Sequence, residues 1–211
     1  MEAAARTVVV TGARGRLGRV LVPTLRDAGY RAVEVARGDG ANVYEADLLD
    51  EASVVRCFDQ IAEREGAIDA LIHAVGTWDS TPIATTSLAD WEGLLRTNLV
   101  TTFLCFREAA RIMNDGGRLI AFSSGQGADR SLAQQSAYAA AKAGVIRLVE
   151  SAAAEYRERR ITAHAIAPST ILFDDAGGKG VTASDLAAIC LDVLSPTGAA
   201  LNGQVIRAYG I

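Results

Sequence analysis

No apolar run in the 211-residue sequence approaches the roughly 18 residues that a membrane-spanning helix needs, so no membrane partner is expected. The N-terminal Met1-Glu2-Ala3-Ala4-Ala5-Arg6 leads into a six-residue run, Thr7 to Gly12, too short for a signal-peptide core. Export is not expected, and a cytoplasmic location is. Cysteine is scarce: Cys57, Cys105 and Cys190 are widely spaced and form no CxxC or Cys/His cluster. That spacing argues against a disulfide framework or a metal site and for reduced thiols in the core. There is no basic run either. With 21 Lys and Arg against 25 Asp and Glu, a formal net charge of -4 and scattered cations, nucleic acid and anionic membrane are not the expected partners. No internal repeat, low-complexity tract or linker marks a second domain, and a chain that is 50% apolar can bury a sizeable core. Residues 1–211 therefore read as one domain.

What is present is an alternation of strand and helix signals. Val8-Val9-Val10, bounded by Thr11-Gly12, reads as a strand buried on both faces. Thr11-Gly12-Ala13-Arg14-Gly15-Arg16-Leu17-Gly18 places three glycines three apart in a turn that opens a helix, with Leu17, Val20, Leu21 and Leu25 at helical spacing. Pro23 inside that helix is expected to kink it or weaken one hydrogen bond. A second strand, Ala32 to Ala36, completes a βαβ unit, in which such glycines let the backbone approach a pyrophosphate at the helix N-terminus.

Further strands are predicted at 43–46, 70–76, 117–123, 161–167 and 204–208. Helices are predicted from Asp50, from Ser87 to about Met113, over 136–159, and from Thr182 to about Leu194. The expected architecture is α/β: a doubly wound, mostly parallel seven-stranded sheet of the Rossmann kind, in three α/β/α layers. Ligands of such sheets bind at the carboxyl ends of the strands, where Thr11, Ala36, Asp47, Gly76, Ser124 and Pro168 fall.

Within the 136–159 helix, Tyr138-Ala139-Ala140-Ala141-Lys142 puts a phenol and an amine four residues apart, on one face. A neighbouring ammonium favours the phenolate, so this pair is expected to lower the tyrosine pKa and move a proton to or from a substrate oxygen.

Taken together these residues resemble the short-chain dehydrogenase/reductase family over nearly the whole chain. Tyr138 and Lys142 match its Tyr-x-x-x-Lys, and Ser124 in Ser123-Ser124-Gly125-Gln126-Gly127 matches its serine, with Ser123 a second candidate. Asn98 in Arg96-Thr97-Asn98-Leu99 matches its asparagine, and Asp47 in Ala46-Asp47-Leu48 matches the acid that contacts adenine. The resemblance implies hydride transfer between a nicotinamide dinucleotide and a carbonyl or alcohol substrate. Tyr138 would be the acid-base group, Ser124 the hydrogen-bond donor to the substrate oxygen, Lys142 the holder of the nicotinamide ribose and Asn98 the anchor of a water relay. Asn98 also reads as a buried amide tied to backbone, Ser124 as a strand-end cap and Asp47 as a turn acid. The glycine loop (Gly12, Arg14, Gly15, Arg16, Leu17, Gly18), Ala74, Gly76 and Pro168 would complete the cofactor site. The family also implies a homodimer or homotetramer.

Charge adds a cofactor preference. The end of the second strand carries Ala36 and Arg37 rather than an acid, and Arg14 and Arg16 lie in the glycine loop, so NADP(H) is expected over NAD(H). Glu34 lies two residues too early to oppose this, whereas Asp39, beyond it, would weaken the preference, and Arg37 also reads as a solvated loop residue.

Several positions depart from the family pattern. Arg16 stands where a second glycine is common, and the TGxxGxxG spacing is that of longer, extended relatives. His73-Ala74-Val75-Gly76 replaces Asn-Asn-Ala-Gly, with His73 read as structural. Pro168-Ser169 replaces Pro-Gly, and Phe173 stands in the place of a threonine that would contact the nicotinamide amide. The lid, over about 169–184, is short, which predicts an open site that Trp78 and Trp91 could line. These departures keep a second function in view: a catalytically idle NADP(H)-binding sensor or interaction protein. An isomerase using the cofactor transiently is a third, disfavoured by length.

Overall fold

The side chains of Val8, Val9 and Val10 are all fully shielded from solvent, which for a strand requires cover on both faces. The computed structural model, which describes residues 5–38, 43–173 and 177–210, supplies that cover with helices on either side of one sheet. The chain runs β1 (Thr7–Thr11), α1 (Gly18–Asp27), β2 (Arg31–Ala36), β3 (Val43–Glu45), α2 (Glu51–Glu65), β4 (Ile68–His73), α3 (Leu88–Leu95), a π-helical turn (Arg96–Val100) and α4 (Thr101–Ile112). It continues through β5 (Met113–Phe122), α5 (Gly125–Ala128), α6 (Ser136–Glu155), β6 (Thr162–Pro168), β7 (Ile171–Leu172), β8 (Val181–Thr182), α7 (Ala183–Leu194), a 3-10 turn (Pro196–Leu201) and β9 (Val205–Ala208).

Seven strands form one parallel sheet in the order β3-β2-β1-β4-β5-β6-β9, as expected of a doubly wound fold. Side chains alternate between its faces. Val9 joins the cluster built with Phe58 of α2, Cys105 of α4 and Val149 of α6, whereas Val8 and Val10 join Leu21 of α1 and Cys190 of α7. All three cysteines are free and buried in these clusters. The strand order turns at β1 and β4, whose carboxyl ends therefore flank a crevice.

Local chemistry explains most boundaries. Asp50 caps α2 through Ala52 N and Ser53 N, Ser87 caps α3 through Asp90 N, and Thr182 caps α7 through Asp185 N. The predicted helix from Ser87 is broken by the π turn, and the fifth strand begins at Met113 rather than Gly117. Helix α6 stops at Glu155, before the expected 159, and Arg160 just beyond takes a left-handed φ of 53°. Pro23 lies inside α1 without ending it. Beside the main sheet, β7 and β8 pair as a small parallel ribbon where a lid was expected.

Candidate active site

The glycine turn after β1 is shaped by close approach. At Gly12, which has a φ of +74°, a Cβ would stand 2.8 Å from the Ala74 carbonyl oxygen; at Gly18 it would stand 2.3 Å from the Gly12 oxygen. These glycines therefore let α1 begin directly against the ends of β1 and β4. The start of α1 has no acid in its first turn and no side-chain cap; Arg19 N and Val20 N donate to the Gly15 and Leu17 carbonyls, and the dipole of the helix start favours an anion.

In front of this turn lies a cavity of about 600 Å³. It is lined by Gly15, Arg16 and Leu17 of the turn, by Ala74, Val75 and Gly76 after β4, by Asn98, Ser124, Tyr138 and Lys142, and by Pro168 and Phe173. A Cβ at position 76 would stand 2.7 Å from Asn98 Oδ1 and 3.0 Å from Lys142 Nζ, so a larger residue there would displace those side chains. A glycine-lined, cation-bearing cradle ending in a hydroxyl pair fits a dinucleotide.

The four residues of the expected constellation converge. Ser124 N-caps α5, accepting from Gly127 N at 3.2 Å, and lines the cavity with Tyr138, on whose phenol its hydroxyl acts. Ser123, the other candidate, gives its hydroxyl to the Lys142 carbonyl at 2.8 Å and is committed to holding α6. Lys142 is buried, and its Nζ donates to the Phe122 carbonyl at 2.8 Å while standing 5.8 Å from the centre of the Tyr138 ring. Asn98, fully buried in the π turn, donates to the carbonyls of Thr77 and Leu94 at 3.0 Å each and accepts from Thr77 N at 3.2 Å. Its amide thus ties the segment after β4 to the helix, the structural use read beside the relay.

Burial governs the electrostatics. It raises the Tyr138 pKa above the usual phenol value, with the Ser124 hydrogen bond pulling the other way, and it lowers Lys142 to about 8. The expected depression of Tyr138 by Lys142 is therefore not found in this geometry, because the ammonium is turned onto a backbone carbonyl and desolvation dominates. His73 is fully enclosed between the Thr11 hydroxyl on Nδ1, at 2.8 Å, and the Thr101 hydroxyl on Nε2, at 3.2 Å. Burial, then the Lys142 charge, brings its pKa down to about 3, so it is a neutral structural residue.

Other expected site residues lie outside this cavity. Asp47 is exposed at the end of β3 and uses Oδ1 to accept from Leu49 N at 3.1 Å, the turn role read for it. Arg37 is exposed after β2, and Arg14 donates to the Gly38 carbonyl at 3.1 Å, so both belong to the β2 side of the turn. Asp39 lies outside the described residues. The sequence reading missed Glu45, paired in register with Ala36, whose carboxylate accepts from Gly38 N at 3.3 Å. Its proximity depends on the β2–β3 register, which no local pattern displays. Trp78 lines the cavity; half-buried Trp91 on α3 does not. Among the described residues there is no cluster of three metal-ligating side chains, and no helix is long and apolar enough to cross a membrane.

Comparison with known proteins places this geometry. The family model described as enoyl-(acyl carrier protein) reductase matches residues 3–180. A short-chain type dehydrogenase/reductase of Picea abies is 29% identical, with 97% of this chain and 91% of that protein covered. D-threitol dehydrogenase of Mycolicibacterium smegmatis is 31% identical over 79% of this chain and 70% of its own length. Among solved structures, a blue fluorescent protein from a metagenomic library in complex with NADPH superposes with a TM-score of 0.88 at 22% identity, covering 97% of this chain and 96% of that one.

Proposed function

The chain belongs to the short-chain dehydrogenase/reductase family, and from that membership we propose that it is an NADP(H)-dependent oxidoreductase of the carbonyl reductase or alcohol dehydrogenase type. In this reading residues 1–211 form one dinucleotide-binding domain with a shortened lid over about 169–184. The observation that carries the proposal is the convergence of Asn98, Ser124, Tyr138 and Lys142 on one glycine-lined cavity, with Lys142 one helical turn from Tyr138.

When bound, the cofactor supplies or accepts a hydride. In reduction, Tyr138 gives its phenolic proton to the carbonyl oxygen while the carbonyl carbon receives the hydride, leaving an alcohol. In oxidation, Tyr138 takes the hydroxyl proton. Ser124, fixed by Gly127 N, offers its hydroxyl to the same oxygen and stabilises the charge that develops there. Burial raises the Tyr138 pKa further above neutrality, so the phenol holds the proton that reduction requires. Lys142, whose Nζ lies beside Gly76, would hold the nicotinamide ribose. Asn98, tied to the Thr77 and Leu94 backbone beside it, would anchor the water relay.

The preference for NADP(H) rests on Arg14 and Arg37 around the β2 turn, opposed among the described residues by the carboxylate of Glu45; the NADPH complex of a structural relative supports it. A homodimer or homotetramer and a cytoplasmic setting belong to the same proposal.

A panel of aldehydes, ketones and quinones assayed with NADPH tests it. Turnover is expected to fall by about 10²–10⁴-fold in Tyr138→Phe with cofactor binding retained. Three backbone bonds on the Asn98 amide, and the bond from Lys142 to the Phe122 carbonyl, favour one second reading, a cofactor-binding protein without turnover. NADPH binding with no oxidation by any of the panel would select it.

A further inference from the structure

Two residues that set this chain apart from the family pattern lie in contact with each other. The Arg16 guanidinium carbon stands 4.0 Å from the centroid of the Phe173 ring, so a side chain from the glycine turn is stacked across the cavity on a side chain from the segment after β7. Both residues line the cavity that ends at Ser124 and Tyr138. An exposed arginine otherwise samples many rotamers; a flat ring beneath it selects one. Arg14, two residues earlier, is turned the other way, with its guanidinium on the Gly38 carbonyl beyond β2. The loop thus sends one cation towards the end of β2 and the other towards the active hydroxyls, with the uncapped start of α1 between them.

We propose that Arg16, oriented by Phe173, contacts the diphosphate and nicotinamide half of the cofactor, while Arg14 contacts the 2′-phosphate. Phe173 is a positioning residue acting through Arg16, at the place where the family pattern has a threonine. The proposal rests on the dinucleotide reading above. It divides the arginines by function: Arg16 sets the affinity for any nicotinamide dinucleotide, and Arg14 sets the choice between them.

Calorimetric titration of the full chain with NADPH and with NADH, in parallel with thermal melts, tests the division. Arg16→Ala is expected to weaken both cofactors by about tenfold and leave their affinity ratio within about twofold of wild type. Arg14→Ala is expected to weaken NADPH by about tenfold with little change for NADH. Phe173→Leu is expected to weaken both by about threefold, Phe173→Tyr to restore both, and Arg16→Ala/Phe173→Leu to be no weaker than Arg16→Ala alone. The proposal is overturned if Arg16→Ala lowers the NADPH to NADH ratio as Arg14→Ala does, if it leaves both affinities unchanged, or if the double variant loses the sum of the single effects. A wild-type chain that binds neither dinucleotide is a different result and removes the cofactor reading itself.

Discussion

Ser124 caps α5 and lines the cavity with Tyr138; the cap was readable from its place after a predicted strand, the association with Tyr138 from the family resemblance. Titration of the buried bases was not readable, because it depends on enclosure rather than on neighbours in sequence. His73 holds a folded pKa of about 3 against an ordinary 6.5, so the unfolded chain binds the extra proton. Its contribution to stability is full above pH 6.5 and drains as the pH falls towards 3, and His164, lowered to about 4, acts with the same sign. A melting temperature that declines below pH 6.5 is expected, with a shallower decline in His73→Asn, measured by calorimetry across pH 4 to 7. Lys142 gives a second window. With its folded pKa at about 8 against 10.5, stability from this group is complete above pH 10.5 and is lost as the pH falls to 8. Lys142→Met is expected to flatten the melting curve between those values, a difference of the order of 3 kcal/mol if the whole shift is expressed.

Among the elements, α5 is short but tightly located. A Cβ on Gly127 would stand 2.6 Å from the Lys142 carbonyl carbon and 2.8 Å from Ala143 N, so α5 rests on the backbone of α6 at the position that matters. Gly127→Ala is expected to lower stability by about 1–3 kcal/mol, read from denaturant midpoints, and to reduce turnover by displacing Lys142 from its carbonyl. From the other side, Arg207 and Tyr209 grip Asp129 at the end of α5, and the Ser169 hydroxyl donates to the Tyr209 carbonyl at 2.7 Å. Ser169, read in the sequence only as a departure from Pro-Gly, thus joins the last strand to the cavity wall. Caps such as Asp50, Ser87 and Thr182 were legible because capping is chemistry within four residues. The π turn was not: Asn98 meets Thr77 and Leu94 there, and the Thr77 contact is tertiary.

For the whole molecule, the layers and the carboxyl-edge placement of the site followed from alternating strands and helices, whereas contacts between distant segments, such as Arg16 with Phe173 and Glu45 with Gly38, needed the assembled sheet. Along the π turn and α4, Leu104 and Phe106 are buried and Leu99 leans on Gly144, but Phe103 stays 46% exposed beside Arg107. If the proposed homo-oligomer uses this face, light scattering gives a multiple of 22.1 kDa for the wild type, and Phe103→Asp shifts the mass towards the monomer. One further outcome follows from the uniform direction of the seven strands. Every pairing must close a crossover before it gains its ladder, so folding should take milliseconds to seconds rather than microseconds. The first four strands are contiguous neighbours in space, and they leave the ribosome ahead of the other three; half of the platform can assemble during synthesis and then serve as template for the remainder.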